Sequence, residues 1–453
     1  MTRLKLKYGF LREFIFFFIL IFIWFQINNS LSVKNNFLFS LTNFMIVIYS
    51  YWGAFRINQK LSFSANQIFF LFSLLFFGFA PLVQFNNNIL LWGGYIIEES
   101  AYIFTNVIIL YILIAYSILY KFFSRKNKEY ILIKKTSFNV SGKVITFFSI
   151  LVTILILLVY RDNLILLFFR ELSEDGVKNI NENIASLPTS LSLIFGLFIR
   201  PIPVLLFLIY KIGCRRNIVL EIFLLLLALL SNFPLAIPRF YVAALYLPVV
   251  ILYFKNYFNG RNNLGYLFLI AVLLIFPFLN QGRTVTSLNE LKFAFDFDMF
   301  GQGHFDSYIN FVRVLDKEII TYGKQLLGVL LFMIPRVFYL SKPIGSGGYL
   351  ASELNLDFDH ISMNYFAEGY INFGFIGILL FVIFIAYLNA KFDNLYLLTK
   401  FKKEFNFQNL LFLLYIGLLT FNLRGDLISC FAYTLGMFSS LYFMFNIVKK
   451  FSK

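Results

Sequence analysis

The sequence holds few of the residues that build metal centres and soluble active sites. Of its 453 residues only 14% are charged, two are cysteine and two are histidine. Cys214 and Cys430 have no neighbouring Cys or His to complete a ligand set, so neither a disulfide framework nor a zinc site is expected. A Walker loop, a dinucleotide fingerprint and a nucleophile elbow are also missing. The sequence therefore predicts no metal and no organic cofactor.

Apolar residues, in contrast, make up 60% of the chain, more than a soluble fold can bury. Runs of membrane-spanning length recur from Phe14 to Val448 without a long polar block. We therefore expect one all-α polytopic membrane domain over residues 1–453, with about twelve transmembrane helices. The predicted spans are 13–27, 37–55, 67–83, 100–120, 144–160, 187–210, 217–237, 240–254, 264–280, 369–389, 407–422 and 427–448.

The net charge of +16 predicts an orientation in the membrane. In a soluble chain such a charge would suggest nucleic acid, but here the basic tracts at 121–135, 211–216, 400–403 and the C-terminus alternate with the spans. All of them fall on the cytoplasmic side if the N-terminus is cytoplasmic, as the positive-inside rule requires. The basic MTRLKLK start leads into an apolar run without a cleavage site and is read as the first span. We expect both termini in the cytoplasm, and a lipid bilayer rather than nucleic acid as partner.

Two of the predicted outside loops are long, and the second is expected to carry the chemistry. They cover 161–186 and 281–368. Within the second, residues 324–340 are apolar but broken by Pro335 and Arg336. That pattern favours short or re-entrant helices over a full crossing.

Arginines on the outer side contradict the usual charge bias and need a reason. One reason is a snorkelling side chain that meets a lipid phosphate or a carboxylate, which we prefer for Arg161. The other is a binding site, because a guanidinium fork matches phosphate oxygens. The candidates for phosphate binding are Arg239, Arg283, Arg336 and Arg424.

Both histidines lie in the large outside loop. His360 has acidic neighbours and precedes a span, so it is a candidate general base, whereas a loop hydrogen bond is favoured for His304. Glu368 begins the tenth predicted span, where its carboxylate should face protein or a wet cleft. It could act as the acid or base, or it could pair with an arginine. No ligand spacing supports a metal site here.

A glycine cluster stands between these groups. Gly345, Gly347 and Gly348 could let backbone amides approach an anion, although a flexible turn is the commoner explanation.

The segments IPRVFYLSKPIGSGG (334–348) and NYFAEGYINFGFIG (364–377) resemble the Wzy-type O-antigen polymerases. Arg336 and Gly347 reproduce an Arg, ten residues, Gly pattern of outside loops in that family. Weaker likeness occurs at 238–246, and the order of spans and loops matches over nearly the whole chain.

The resemblance implies a GT-C-like membrane glycosyltransferase of the bacterial inner membrane. It would join undecaprenyl-diphosphate-linked oligosaccharide repeat units at the outer face, for O-antigen or capsule-type polysaccharide, without a nucleotide sugar. A chain-length regulator protein is a further implied partner. The alternatives are an O-antigen ligase, a lipid-linked oligosaccharide flippase and a passive scaffold for envelope assembly. A flippase would show repeat symmetry and a midplane site, whereas the charged residues gather here at the predicted outer surface.

Overall fold

The structure is a computed structural model. It describes residues 2–30, 34, 36–56, 61–126, 140–161, 163–168, 191, 194–214, 217–260, 262–275, 297–401 and 407–452. Every regular element in these ranges is a helix. The longer ones are α1 (Thr2–Ser30), α2 (Phe37–Arg56), α3 (Ala65–Asn86), α4 (Glu99–Lys126), α5 (Gly142–Val159), α6 (Phe195–Gly213), α7 (Ile218–Ser231), α8 (Arg239–Tyr253), α9 (Asn263–Ile270), α10 (Ser307–Asp316), α11 (Lys324–Leu330), α12 (Ser346–Glu353), α13 (Tyr365–Phe401), α14 (Phe407–Arg424) and α15 (Leu427–Phe451).

Within the described residues, nine helices are long and apolar enough to cross a membrane. Three shorter apolar helices, Ile218–Ser231, Phe240–Tyr253 and Asn263–Leu274, coincide with the remaining predicted spans. An all-helical polytopic membrane protein is thereby confirmed. The number of about twelve crossings stays a prediction, because the three shorter helices fall below the length that a bilayer needs.

The helix α3 lies at the centre of the bundle, and its whole apolar window is buried. Outer helices such as α1 and α4 instead expose large apolar side chains, among them Phe22 and Ile118. Exposed apolar side chains on long helices match the hydrocarbon of a bilayer. Inside α3, residues Ser73–Phe79 form a π-helical stretch, a local widening that often marks functional regions.

The helix α13 bends sharply near its start, where Phe373 and Gly374 leave helical geometry. Gly374 has φ of +61°, which a residue without a Cβ adopts at little cost. The bend brings Gly369 and Gly377 together, and a Cβ added to Gly377 would lie 1.8 Å from the Gly369 carbonyl oxygen. The first two turns of α13 therefore pack against the rest of the same helix and carry Glu368 inward.

The bend also frees backbone carbonyls, which the preceding loop satisfies. Gly323 N–H donates to the Asn372 carbonyl at 2.8 Å, and the Thr321 hydroxyl donates to the Ile371 carbonyl. The Asn372 side chain accepts from Leu326 N–H and so ties α11 to the bend. At the N-terminus of α13, the Asn364 side chain caps the helix by accepting from Phe366 and Ala367 N–H.

The described part of the predicted outside loop 281–368 covers residues 297–368 and contains the short helices α10, α11 and α12. It lies at the end of the bundle where α13 and α15 begin and α14 ends. We call this the site end. The opposite end has its own buried carboxylate, Asp393, which accepts from Ala65 and Asn66 N–H and from the Tyr120 hydroxyl.

Candidate active site

Two carboxylates from distant parts of the chain meet at the site end. Glu368 lies on the folded-back start of α13 and is completely buried. Its side chain accepts from the Ser346 hydroxyl at 2.7 Å and from Leu427 N–H at 2.9 Å. Asp426, one residue before Leu427, caps α15 by accepting from Ile428 N–H at 3.0 Å. We call Glu368 and Asp426 the carboxylate pair.

The glycine cluster shapes the surroundings of Asp426. Gly347 N–H donates to Asp426 at 2.9 Å, so at this position the predicted amide contact with an anion is made to the protein's own carboxylate. A Cβ on Gly345 would lie 2.5 Å from an Asp426 oxygen, and one on Gly347 only 2.1 Å from the Ile361 carbonyl oxygen. Gly348 is less crowded, with the Asp359 carbonyl oxygen 3.6 Å from its added Cβ. Gly345 and Gly347 thus allow α12 to approach Asp426 and the Ile361 backbone closely.

Asp426 is partly exposed, whereas Glu368 behind it is not. Burial raises the pKa of the Asp426 carboxyl above its usual range, although backbone N–H donors from Gly347 and Ile428 oppose this shift. The carboxylate of Asp426 is thus held in place by fixed donors, in a residue that is itself partly exposed. A group in this position can exchange a proton with a bound hydroxyl.

Arg424 lies two residues before Asp426 and binds the loop that contains His304. Its Nε donates to the His304 carbonyl at 2.8 Å, and its Nη2 donates to the Gly303 carbonyl and to Asp306 Oδ1, both at 3.2 Å. The ion pair with Asp306 neutralises part of its charge. Nη1 makes no hydrogen bond within the described residues, and 31% of the side chain is exposed. One arm of the guanidinium thus stays open to an anion.

Arg336 lies on an exposed turn that follows α11. Its Nη1 donates to the Lys342 carbonyl at 2.9 Å, and the Lys342 ammonium donates to the Phe332 and Ile334 carbonyls. Burial and the charge of Arg336 lower the pKa of Lys342. The turn packs against the start of α15 through Phe332 and Phe431, whose ring centroids are 5.7 Å apart. Two cations therefore lie beside α15, the helix that Asp426 caps.

His360 lies on the surface, four residues before Asn364, and contacts the Phe358 ring edge to face at 5.8 Å. The structure gives it no hydrogen bond to the carboxylate pair. Its assignment as general base stays a prediction. The backbone of His304 accepts from Arg424, as described above. Its side chain was expected to make a loop hydrogen bond, which also stays a prediction.

The side chains of the remaining predicted arginines lie outside the described residues. Arg239 is the first residue of α8, but its side chain lies outside the described set. Arg283 and most of the loop 161–186 also lie outside the described residues. Their roles stay predictions.

Sequence reasoning missed Asp426, Ser346 and Asp306. Asp426 belongs to the Arg-Gly-Asp turn between two spans, a place where an acid is as unusual as Arg424 beside it. Ser346 lies inside the glycine cluster. Asp306 is almost completely buried, and it accepts from the Ser362 amide and hydroxyl as well as from Arg424. For Asp426, the available signal in the sequence was an acid and an arginine, Arg424, within one short turn between two spans.

In the described residues no group of three or more His, Cys, Asp or Glu side chains is arranged to hold a metal ion.

Comparison of the chain with family models, with curated proteins and with solved structures finds no match. The likeness to Wzy-type polymerases therefore depends on the motif residues themselves. Two of these motifs, around Gly347 and around Glu368, contribute to the site end described above.

Proposed function

We propose that this protein is a lipid-linked repeat-unit polymerase that acts at the outer face of the bacterial inner membrane. The observation that carries the proposal is that the carboxylate pair lies at one end of a membrane-spanning bundle, with Arg424 in the same turn as Asp426 and paired with Asp306. A reaction between two lipid-anchored sugars needs a site at a membrane surface, a cation for diphosphate and a proton acceptor. In this proposal the site end lies at the membrane surface, Arg424 is the cation and the carboxylate pair is the proton acceptor.

Diphosphate binding falls to the arginines in this proposal. Arg424 offers its unbonded Nη1, and Arg336 uses only Nη1 for the Lys342 carbonyl. A guanidinium keeps its charge at any relevant pH and fits phosphate oxygens with parallel N–H groups. Arg239 and Arg283 are further proposed ligands, since the reaction brings two diphosphate carriers to one site.

The chemical step is a sugar transfer. An acceptor hydroxyl of one repeat unit attacks the anomeric carbon of the growing chain, and the bond from that carbon to the diphosphate oxygen breaks. The lipid diphosphate leaves with the bond's electron pair, and its charge is balanced by the arginines. The hydroxyl proton must go to a base.

The geometry supports the carboxylate pair as that base better than His360. Asp426 is partly exposed, lies two residues from Arg424 and is held by backbone donors, whereas His360 sits on a surface loop beside Phe358. Glu368 lies behind Asp426, where its side chain accepts from Leu427 N–H and from the Ser346 hydroxyl. We assign proton acceptance to Asp426 and its support to Glu368.

The close alternative is an O-antigen ligase, which also transfers a glycan from a lipid diphosphate. A deletion strain separates the two, because loss of a polymerase leaves glycolipid with a single repeat unit, whereas loss of a ligase leaves bare lipid core. We expect single-repeat glycolipid on a gel of surface polysaccharide. Complementation with the wild-type chain should restore the ladder, and complementation with Asp426→Asn should not. A bare core in the deletion strain, or an unchanged ladder, would reject the polymerase.

A further inference from the structure

Trp92 adopts a backbone conformation that bulky residues avoid. Its φ is +65°, in the left-handed region, and Gly93 and Gly94 follow with positive φ. A tryptophan there is strained, because its Cβ approaches the backbone. Such strain persists only where the surroundings enforce it, and it concentrates at ligand-binding sites.

A buried arginine enforces this turn. Arg313 in α10 is fully buried, and its Nη2 donates to the carbonyls of Leu91 and Gly93, at 2.7 and 2.6 Å. The Trp92 carbonyl accepts from Asp357 N–H at 3.0 Å. Three consecutive carbonyls are thereby held, and the tryptophan side chain is fixed in direction.

The indole lies between the Gly303 loop and Phe358. A Cβ on Gly303 would lie 2.2 Å from the indole ring, so only glycine permits this approach. The Phe358 ring stacks on the indole with centroids 4.7 Å apart and an angle of 28°. The indole Nε1 donates to Asp306 Oδ2 at 3.1 Å, and Asp306 Oδ1 accepts from Arg424.

The outer ring of this stack, Phe358, is exposed to the surface. Phe358 is 37% exposed, and the exposed His360 ring lies roughly perpendicular to it with the ring centroids 5.8 Å apart. Asp357 and Asp359 on either side are also exposed. An aromatic face bordered by carboxylates and an imidazole suits a pyranose ring, which has an apolar C–H face and a rim of hydroxyl groups.

We propose that Phe358, supported by Trp92 and bordered by His360, is a sugar-binding platform for one pyranose of the repeat unit. This inference rests on the proposed function, because it names the part of the substrate that lies beside Arg424. Asp306 joins the two, since it bonds to both Trp92 and Arg424. The platform thus holds the glycan while Arg424 holds its diphosphate.

The test measures sugar binding without any turnover. Purified full-length protein in nanodiscs is mixed with methyl glycosides of glucose, galactose and N-acetylglucosamine, and saturation transfer from protein to sugar is recorded by NMR. We expect transfer to at least one glycoside in the wild type, its loss in Phe358→Ala and its retention in Phe358→Tyr. The control is Tyr322→Ala, which removes a different aromatic side chain that is 86% exposed.

With lipid-linked repeat units as substrate, Phe358→Ala should raise KM about tenfold and leave kcat near the wild-type value, since one stacking contact is lost. Absence of transfer to every glycoside in the wild type would overturn the platform, as would equal transfer in Phe358→Ala and wild type. An equal loss in Tyr322→Ala would also overturn it. If a sugar binds at Phe358 but no polymer forms, the proposed function fails and the platform stands.

Discussion

At the scale of single residues, the site end combines buried acids with partly open cations. Glu368 and Asp426 are surrounded by donors from Ser346, Gly347 and Leu427. The Nε and Nη2 groups of Arg424 donate to Asp306 and to the carbonyls of His304 and Gly303, and Nη1 makes no hydrogen bond within the described residues. This division explains how a guanidinium can be fixed in position and still have an arm free for a phosphate oxygen.

The first prediction concerns the arginines. Arg424→Ala and Arg336→Ala should reduce polymer formation at least tenfold with the protein still in the membrane, because each change removes one charge–phosphate contact of about 1.5–3 kcal/mol. Arg239→Ala should have a weaker effect. Lysine should rescue incompletely, since it lacks the planar fork. The measurement is polymer yield from purified protein in nanodiscs.

Lys317→Ala is the matched control for these variants, because Lys317 is a cation at the same end that pairs with Asp316 and Tyr95. Wild-type polymer length in all of the arginine variants would remove arginines from the mechanism.

The second prediction concerns pH. When folding raises the pKa of a carboxyl group, the folded state binds the proton more tightly than the unfolded state does. This stabilisation is fully present below the unfolded pKa, and it is lost as pH rises through the folded pKa. Burial raises the pKa of Asp426 in this way. Asp426→Asn should therefore gain melting temperature relative to wild type as pH rises through and above the usual aspartate range.

Thermal melts of both proteins in nanodiscs over a series of pH values measure this difference. Asp316→Asn, which alters a carboxylate bonded to the Tyr95 hydroxyl, serves as comparison. A difference between Asp426→Asn and wild type that stays constant with pH would show that the Asp426 carboxyl has no raised pKa.

At the scale of helices and loops, the bend in α13 positions the site. The Gly369 and Gly377 backbones touch across the bend, and the loop around Thr321 and Gly323 satisfies the carbonyls that the bend releases. The kink has two causes: the positive φ of Gly374, and the hydrogen bonds that Thr321 and Gly323 donate to the carbonyls released by the bend. Without the bend, Glu368 would lie in a straight helix away from Leu427.

The third prediction tests this arrangement. Gly377→Ala should destabilise the protein by about 1–3 kcal/mol and lower turnover, because its Cβ would overlap the Gly369 carbonyl oxygen. Gly196→Ala is the matched control, since nothing lies within 4 Å of its added Cβ. Equal melting temperatures of Gly377→Ala and wild type would contradict the close packing across the bend.

The elements were largely predictable from the sequence and the site only in part. Apolar runs of spanning length report helices directly, so each predicted span overlaps a helix. Glu368 was identified because an acid at the start of a span is locally visible. Its partner Asp426 was not, because the contact depends on the bend at Phe373 and Gly374 and joins residues far apart in the chain.

The stacking of Phe358 on Trp92 could not be predicted from the sequence, for the same reason. Positive φ at a tryptophan is imposed by Arg313, and only the folded chain brings Arg313 to the carbonyls of Leu91 and Gly93. Sequence spacing carries no signal of that contact.

At the scale of the whole molecule, the bundle has two polar ends separated by apolar helices. The proposed orientation places the site end outside and the basic loops in the cytoplasm, with both chain termini there. The proposed function requires that orientation, because it places the joining of lipid-linked repeat units at the outer face.

The fourth prediction concerns this orientation. In a chain with Cys214 and Cys430 replaced by serine and alanine, a single cysteine at position 338 should react with an impermeant maleimide in intact spheroplasts. Phe338 is 81% exposed on the turn that follows α11. A cysteine at position 130 should react only after permeabilisation. External labelling at position 130 would reject the proposed topology.

The central claim is that the carboxylate pair accepts the proton of the acceptor hydroxyl, and turnover by purified protein tests it most directly. With undecaprenyl-diphosphate-linked repeat units in nanodiscs, Asp426→Asn should lower kcat by about 10²–10⁴-fold, the range for loss of a general base, and retain substrate binding. Glu368→Gln should lower it less, and His360→Gln should act mainly on KM. Near-normal kcat in Asp426→Asn, with kcat lost in His360→Gln across the pH range, would contradict the account and return the role of base to His360.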